Sequence, residues 1–370
     1  MKIKKQQWWH KKLEKTKFIS NISKIIEAED LTTGDYTSKY EKNICKFLRV
    51  KYSIAVSSGS MGNLLAFLAL GVKYGDEVIV PNIGWISVIN ACKIIGAIPI
   101  IVDVEKNRPI INTDKIQEVI TKKTKIIFPI YMNGRSANVE KLKKICKKNK
   151  IFLVEDAAQA VGIKLKNKFL GTFGDVGIFS TSATKMMTTG LGGFLVTNNK
   201  ILAKKIYDMR RHGFSNIQNI RAWDKFGGNF QISSMQCALG IEQLKTLNNK
   251  LKINKKNYLY LIKELKKFNK YIKPININLK NGEVPVYNEF RVVDRENLVK
   301  YLNKNNIENR LVSPNFERVK YIKHRKNKFG FINSKDYEKN NLYLTSGPGL
   351  DIKDLDLMVK VIKSFYKKYH

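Results

Sequence analysis

From about residue 37 to residue 193, short runs of apolar, often β-branched residues alternate with stretches whose apolar positions recur every three or four residues. A short unbroken apolar run reads as a buried strand, and the longer period reads as a helix with one buried face. The runs predict strands at 53–56, 77–80, 98–102, 126–130, 151–154, 176–179 and 193–197, with Pro129 marking where the fourth stops pairing. The amphipathic stretches predict helices at 61–70, 86–95, 113–121 and 138–148. Crossover helices between successive strands imply a mainly parallel sheet with helices on both faces.

Beyond Ile232 the pattern changes. A long helix is predicted from Ser234 to about Phe268, polar on one side and apolar at helical spacing on the other. Strands at 284–287, 289–293 and 341–345 and helices at 295–303 and 351–366 come next, the pattern of a small α+β unit. With 370 residues the chain exceeds one average domain. The expectation is therefore a large α/β domain, residues 1–245, with a seven-stranded, mainly parallel sheet and an N-terminal arm, then a smaller C-terminal α+β domain, residues 246–370.

Composition narrows the functional classes. An apolar fraction of 43% supports a packed core, and no stretch approaches the roughly 20 apolar residues that span a bilayer. The basic start, residues 1–17, has no apolar region behind it and does not read as a secretory signal, so a cytoplasmic protein is expected. Cys45, Cys92, Cys146 and Cys237 are scattered, which reads as free thiols in a reducing compartment. The four histidines lie near no other His or Cys at ligand spacing, so no metal is expected. A net charge of +37 raises the question of a nucleic-acid partner. Lysine dominates over arginine and is spread along the whole chain, which reads as solvated faces and not a nucleic-acid stripe. The patch from Lys4 to Lys12, with Trp8 and Trp9 inside it, reads as a docking N-terminal arm.

Three segments could carry chemistry. Ser57-Ser58-Gly59-Ser60-Met61-Gly62 follows a strand and opens a helix, so its backbone N–H groups and the helix dipole suit a phosphate; an ordinary N-cap is the alternative. It lacks both the P-loop signature and the GxGxxG spacing, so nucleoside triphosphate or NAD binding is not indicated. Glu155 and Asp156 end the 151–154 strand and must face opposite sides of the sheet. The one facing the ligand side can hold a ring nitrogen protonated, or Asp156 simply caps the next helix. Lys185 sits between Phe179-Ser180-Thr181-Ser182-Ala183-Thr184 and Thr188-Thr189-Gly190-Leu191-Gly192-Gly193, small residues that leave room for a ligand beside an amine able to form a Schiff base. Trp85, just past a strand end, is either a core tryptophan or a ring stacked on a flat cofactor.

In this order the residues resemble the DegT/DnrJ/StrS family of pyridoxal-phosphate-dependent sugar aminotransferases, which have the aspartate aminotransferase fold, fold type I. The likeness runs from Leu31-Thr32-Thr33-Gly34 through Ala55-Val56-Ser57-Ser58-Gly59-Ser60, Gly84-Trp85 and Asn133-Gly134-Arg135-Ser136-Ala137 to Glu155-Asp156-Ala157-Ala158-Gln159-Ala160. It continues at Phe179-Ser180, Thr184-Lys185, Arg211-His212-Gly213 and Gly228-Asn229-Phe230.

The resemblance implies pyridoxal 5'-phosphate as cofactor, with pyridoxamine 5'-phosphate as its aminated form. It implies Lys185 as the Schiff-base lysine, Asp156 on the pyridine nitrogen, Gln159 on the ring hydroxyl side and Trp85 on the ring. Ser180 and the backbone of Gly59, Ser60 and Met61 are implied to hold the phosphate, with Asn229 reaching it from the other subunit of a homodimer. The implied reaction moves an amino group from glutamate to a nucleotide-linked keto-sugar, a 4-keto-6-deoxyhexose, for amino sugars of surface glycans. Ser182, Leu191 and Gln231 depart from the family pattern on the substrate side, and Arg310 in Ile307-Glu308-Asn309-Arg310 is a substrate-contact candidate. The rivals are a pyridoxamine-phosphate-dependent sugar dehydratase of the same family, in which the resemblance predicts histidine where Lys185 stands, and a basic nucleic-acid-binding protein on an inactive fold.

Overall fold

The computed structural model describes residues 6–9, 11, 15–32, 34–214, 225–322 and 330–370, with the main chain alone at 15–17; Thr33 and, of the Lys4–Lys12 patch, Lys4, Lys5, His10 and Lys12 lie outside the described residues. Helices α1 (Lys15–Glu27) and α2 (Asp35–Leu48) precede β1 (Tyr52–Val56), α3 (Gly59–Ala69), β2 (Glu77–Pro81), α4 (Ser87–Ile95), β3 (Ile98–Val102), β4 (Thr124–Ile127), α5 (Val139–Asn149) and β5 (Phe152–Asp156). A short hairpin, β6 (Lys164–Leu165) and β7 (Lys168–Phe169), leads to β8 (Val176–Ser180), β9 (Gly193–Thr197) and α6 (Lys200–Arg210). Strands β1 to β5, β8 and β9 form one seven-stranded sheet in the order β1-β9-β8-β5-β4-β2-β3. The pairs from β8 across to β3 are parallel, and β9 runs antiparallel between β1 and β8. Burial of β2 and β9 along their whole length explains why these strands are continuous apolar runs.

Helix α7 (Ser234–Leu265) joins two apolar cores. Its portion up to Leu251 supplies Cys237, Ile241, Leu244, Leu247 and Leu251 to the core around the large sheet. Its second half supplies Tyr258, Leu261 and Leu265 to a smaller core. That core is closed by β10 (Ile272–Pro274), β11 (Asn288–Val292), α8 (Arg295–Lys304), β13 (Asn341–Leu344) and α10 (Ile352–Tyr369), while α9 (Ile332–Asn340) sends Tyr337 into the first core; with exposed β12 (Arg310–Leu311) the strands pair antiparallel in the order β10-β11-β13-β12. The start of the chain docks here as an arm: Gln6 pairs with Ile307 and Trp9 with Ser346. No helix among the described residues is long and apolar enough to cross a membrane.

Three expected elements differ. Residues 113–121 form turns instead of a helix: their bonds run Lys115 N–H to Asn112 and Val119 N–H to Ile116, three residues back, and Thr121 is tied by its hydroxyl to Glu77 at 2.6 Å. The β-branched end Val119-Ile120-Thr121 gives a helix little support against those ties. Residues 284–287 do not join a sheet, because side-chain amides take their backbone: Asn254 Nδ2 donates to the Val286 carbonyl at 2.7 Å, and Asn133 pairs with Tyr287. The strand expected at 126–130 ends at Ile127, although Ile130 still bridges to Asp156.

Candidate active site

At the carboxyl ends of β5 and β8 and the start of α3 lies a cleft of about 290 Å³, lined among others by Gly59, Ser60, Trp85, Asp156, Gln159, Ser180, Ser182, Lys185 and Arg310. Ligand sites of open α/β sheets form at this edge. Residues more than 250 positions apart in sequence thus converge on one cavity at the low end of the usual ligand-pocket range, roughly 300–1,000 Å³.

One wall is the N-terminus of α3. Ser58 caps it, its Oγ accepting the Met61 N–H at 3.1 Å. Met61 is therefore committed to the cap and does not line the cleft, contrary to its place in the expected phosphate cradle. The amides of Gly59 and Ser60 are bonded to no acceptor among the described residues, and they open on the cleft beside the Ser180 side chain. A Cβ at Gly59 would lie 3.0 Å from Ser180 Cβ, a tight approach that glycine avoids. Two free amides, a helix dipole and a serine are groups of the kind that suit an anion.

Lys185 sits at the tip of a folded-back loop. Its base is clasped by Thr181 N–H to the Gly192 carbonyl (2.9 Å) and Thr189 N–H to the Thr181 carbonyl (2.8 Å). Gly192 has φ +148, and a Cβ there would strike Thr189 Oγ1 at 2.4 Å and Thr181 Oγ1 at 2.6 Å. Met186 and Met187 are buried behind the lysine as anchors.

Across the cleft, Asp156 ends β5 with its carboxylate buried. Burial pushes its pKa up, against the opposing pull of the Ala158 N–H (2.9 Å) and the Lys185 charge. Glu155 points through the sheet to the other side, as the strand period requires, and is enclosed by the Tyr131 hydroxyl and the amides of Gly171, Phe173 and Gly174. Gln159 Oε1 accepts the Asn133 N–H at 2.7 Å.

The mouth is aromatic. Trp85 is half exposed, and the Arg310 guanidinium lies 4.9 Å from the Trp8 ring and 5.7 Å from the Trp85 ring. Trp8, Tyr287 and Tyr343 extend this wall in ring contacts of 5.4 Å each. The Tyr287 hydroxyl donates to the Thr184 carbonyl at 3.2 Å, next to Lys185. Tyr287, Tyr343 and Ser313 carry no local sequence signature that marks them as site residues, and Trp8 reads from sequence only as part of an arm. Leu191 lines the cleft with its side chain largely exposed. Asn229 is exposed, bridges to Arg211 and is absent from this chain's own cleft.

The family profile described as the DegT/DnrJ/EryC1/StrS aminotransferase family matches residues 12–363. A GDP-perosamine synthase of Vibrio cholerae is 28% identical over 343 residues, 90% of this chain and 91% of that protein. Among solved structures, an Escherichia coli GDP-4-keto-6-deoxy-D-mannose-3-dehydratase with bound hydrated PLP superposes with TM-score 0.88 at 26% identity, covering 97% of this chain and 100% of that one. A Helicobacter pylori aminotransferase involved in the biosynthesis of pseudoaminic acid superposes with TM-score 0.92 over 99% and 100% of the two chains; at 22% identity that likeness is one of fold.

Proposed function

Because this chain belongs to the DegT/DnrJ/EryC1/StrS aminotransferase family, whose enzymes depend on pyridoxal phosphate, we propose that it aminates a nucleotide-linked 4-keto-6-deoxyhexose with glutamate as nitrogen donor. The observation that carries the reading is Lys185 and buried Asp156 facing one cleft whose third wall is an open helix N-terminus. The names of the Vibrio and Escherichia relatives support a GDP-linked sugar. Four unpaired cysteines agree with work in the cytoplasm.

The residues fit the cofactor. The Gly59 and Ser60 amides with Ser180 suit its phosphate, and the lack of a Cβ at Gly59 keeps that cradle open. When bound, pyridoxal phosphate supplies a carbonyl that captures amines and a ring that accepts the electrons left by a departing proton. Asp156, ionised, holds the proton on the ring nitrogen through a charge-assisted hydrogen bond. Lys185 Nζ would hold the cofactor through its carbonyl and, once released by a donor amine, would serve as the base that moves a proton between the substrate carbon and the cofactor side. Trp85 and Gln159, which line the same cleft, would cover the ring and donate on its hydroxyl side.

Arg310, stacked on two indoles at the mouth, presents a fixed cation suited to the substrate's diphosphate, with Ser182 on the same side. Exposed Asn229, which does not line this chain's own cleft, is proposed to reach the phosphate of a second subunit in a homodimer. Lys185 favours amination over the dehydratase reading. Incubation with 15N-glutamate and GDP-4-keto-6-deoxymannose tests this: labelled nitrogen is expected in the sugar. A deoxygenated sugar without label, or no labelled product from GDP-, UDP- and dTDP-linked keto-sugars alike, would overturn it.

A further inference from the structure

Gln159 does not choose its own orientation. Asn133, fully buried and in the left-handed region at φ +52, donates its backbone N–H to Gln159 Oε1 at 2.7 Å. An amide whose oxygen is taken in this way must turn its NH2 group elsewhere, and no acceptor among the described residues is bonded to it. Gln159 thus presents a donor to the cleft.

The Asn133 side chain is itself held from the small domain. Its Oδ1 accepts the Tyr287 N–H at 2.6 Å, and its Nδ2 donates to the Tyr287 carbonyl and to Glu289 Oε2, both at 3.0 Å. The amide therefore pairs with Tyr287 as a neighbouring strand would. Glu289 is fixed in turn by an ion pair with buried Arg135 at 2.5 Å. Tyr287 also grips the lysine loop through Thr184.

We infer that Asn133 is the positioning residue of the cofactor ring: it fixes Gln159 as a hydrogen-bond donor to the ring's phenolate oxygen and ties that donor to the small domain through Tyr287. The inference rests on the proposed cofactor. A donor on the phenolate lowers the proton affinity of the neighbouring lysine-bound nitrogen, so losing or misplacing it raises the pH midpoint at which the visible absorbance of the loaded protein changes.

The experiment is a spectrophotometric pH titration of the loaded wild type and of Asn133→Gly, Gln159→Leu and the double variant. Glycine tolerates the left-handed backbone and keeps the N–H, so only the tether is lost. Asn133→Gly is expected to raise the midpoint by roughly one unit, the scale of one lost hydrogen bond. Gln159→Leu should raise it in the same direction, and the double variant no further than Gln159→Leu, because both act through one donor. An unmoved midpoint in Asn133→Gly, or shifts that add, overturns the inference while leaving the proposed function intact. Should Asn133→Gly not fold, Asn133→Asp reads the same bonds, since a carboxylate oxygen would face the Tyr287 carbonyl and Glu289. A wild-type protein that takes up no cofactor overturns the proposed function and this inference with it.

Discussion

Two adjacent carboxylates at the end of β5 lie on opposite sides of one sheet and are treated in opposite ways. Glu155 receives four donors, at 2.6 Å from the Tyr131 hydroxyl, Phe173 and Gly174, and at 3.1 Å from Gly171. Asp156 is equally removed from water, yet its carboxylate has one backbone donor, Ala158. Burial raises the pKa of both. A buried carboxylate with a full set of protein donors is a structural joint, here fixing the turn 171–174 against β5. One with donors withheld keeps its bonding capacity for something that arrives later.

That contrast can be broken at several points. On the cleft side, Lys185→Ala should cost the most, lowering turnover by roughly a thousandfold or more and abolishing cofactor-dependent colour, as checked by steady-state assay and absorbance. Asp156→Asn should lower turnover on the order of a hundredfold while leaving the thermal stability of the cofactor-free protein unchanged or higher, because a buried charge is removed. On the far side the pattern inverts. Glu155→Ala should destabilise the fold by about 3 kcal/mol, measured by denaturant unfolding, by orphaning three amides and a hydroxyl, with turnover per folded molecule nearly kept. Gly59→Ala should weaken cofactor affinity about tenfold, read by equilibrium titration, since the new Cβ would crowd Ser180 at 3.0 Å.

The smallest effect is the dependence of cofactor-free stability on pH. Asp156 titrates above its ordinary value of 3.8 in the folded chain, so folding binds protons there. Its burial penalty is absent below that ordinary value and is fully expressed once pH has risen through the raised pKa. Stability of the cofactor-free protein should therefore fall with rising pH in this window, and Asp156→Asn should make the slope shallower than wild type in thermal unfolding at a series of pH values.

How much of this could be read in the sequence depends on how local each signal is. All seven strands of the large sheet announce themselves because they are buried, and a buried strand is a compact apolar run. The Ser58–Ser60 turn, Asp156 and Lys185 are legible because each sits where a strand gives way to a loop. Helix α2 is not, since only Thr37, Tyr40, Ile44 and Leu48 form a buried stripe among charged neighbours. The aromatic mouth is the harder case. Trp8, Tyr287, Arg310 and Tyr343 meet only because the start of the chain and the residues beyond α7 fold onto the same cleft. Residues 284–287 have a strand's composition, but Asn133 and Asn254 occupy their backbone from afar.

The central claim is that one lysine in a strongly lysine-rich chain is the amine of a pyridoxal phosphate site. Borohydride reduction of the cofactor-loaded protein, followed by peptide mass mapping, tests it directly. The account predicts a single pyridoxyl modification, on Lys185, that is lost when glutamate is added before the reductant. Modification scattered over other lysines, or none at Lys185, would contradict it.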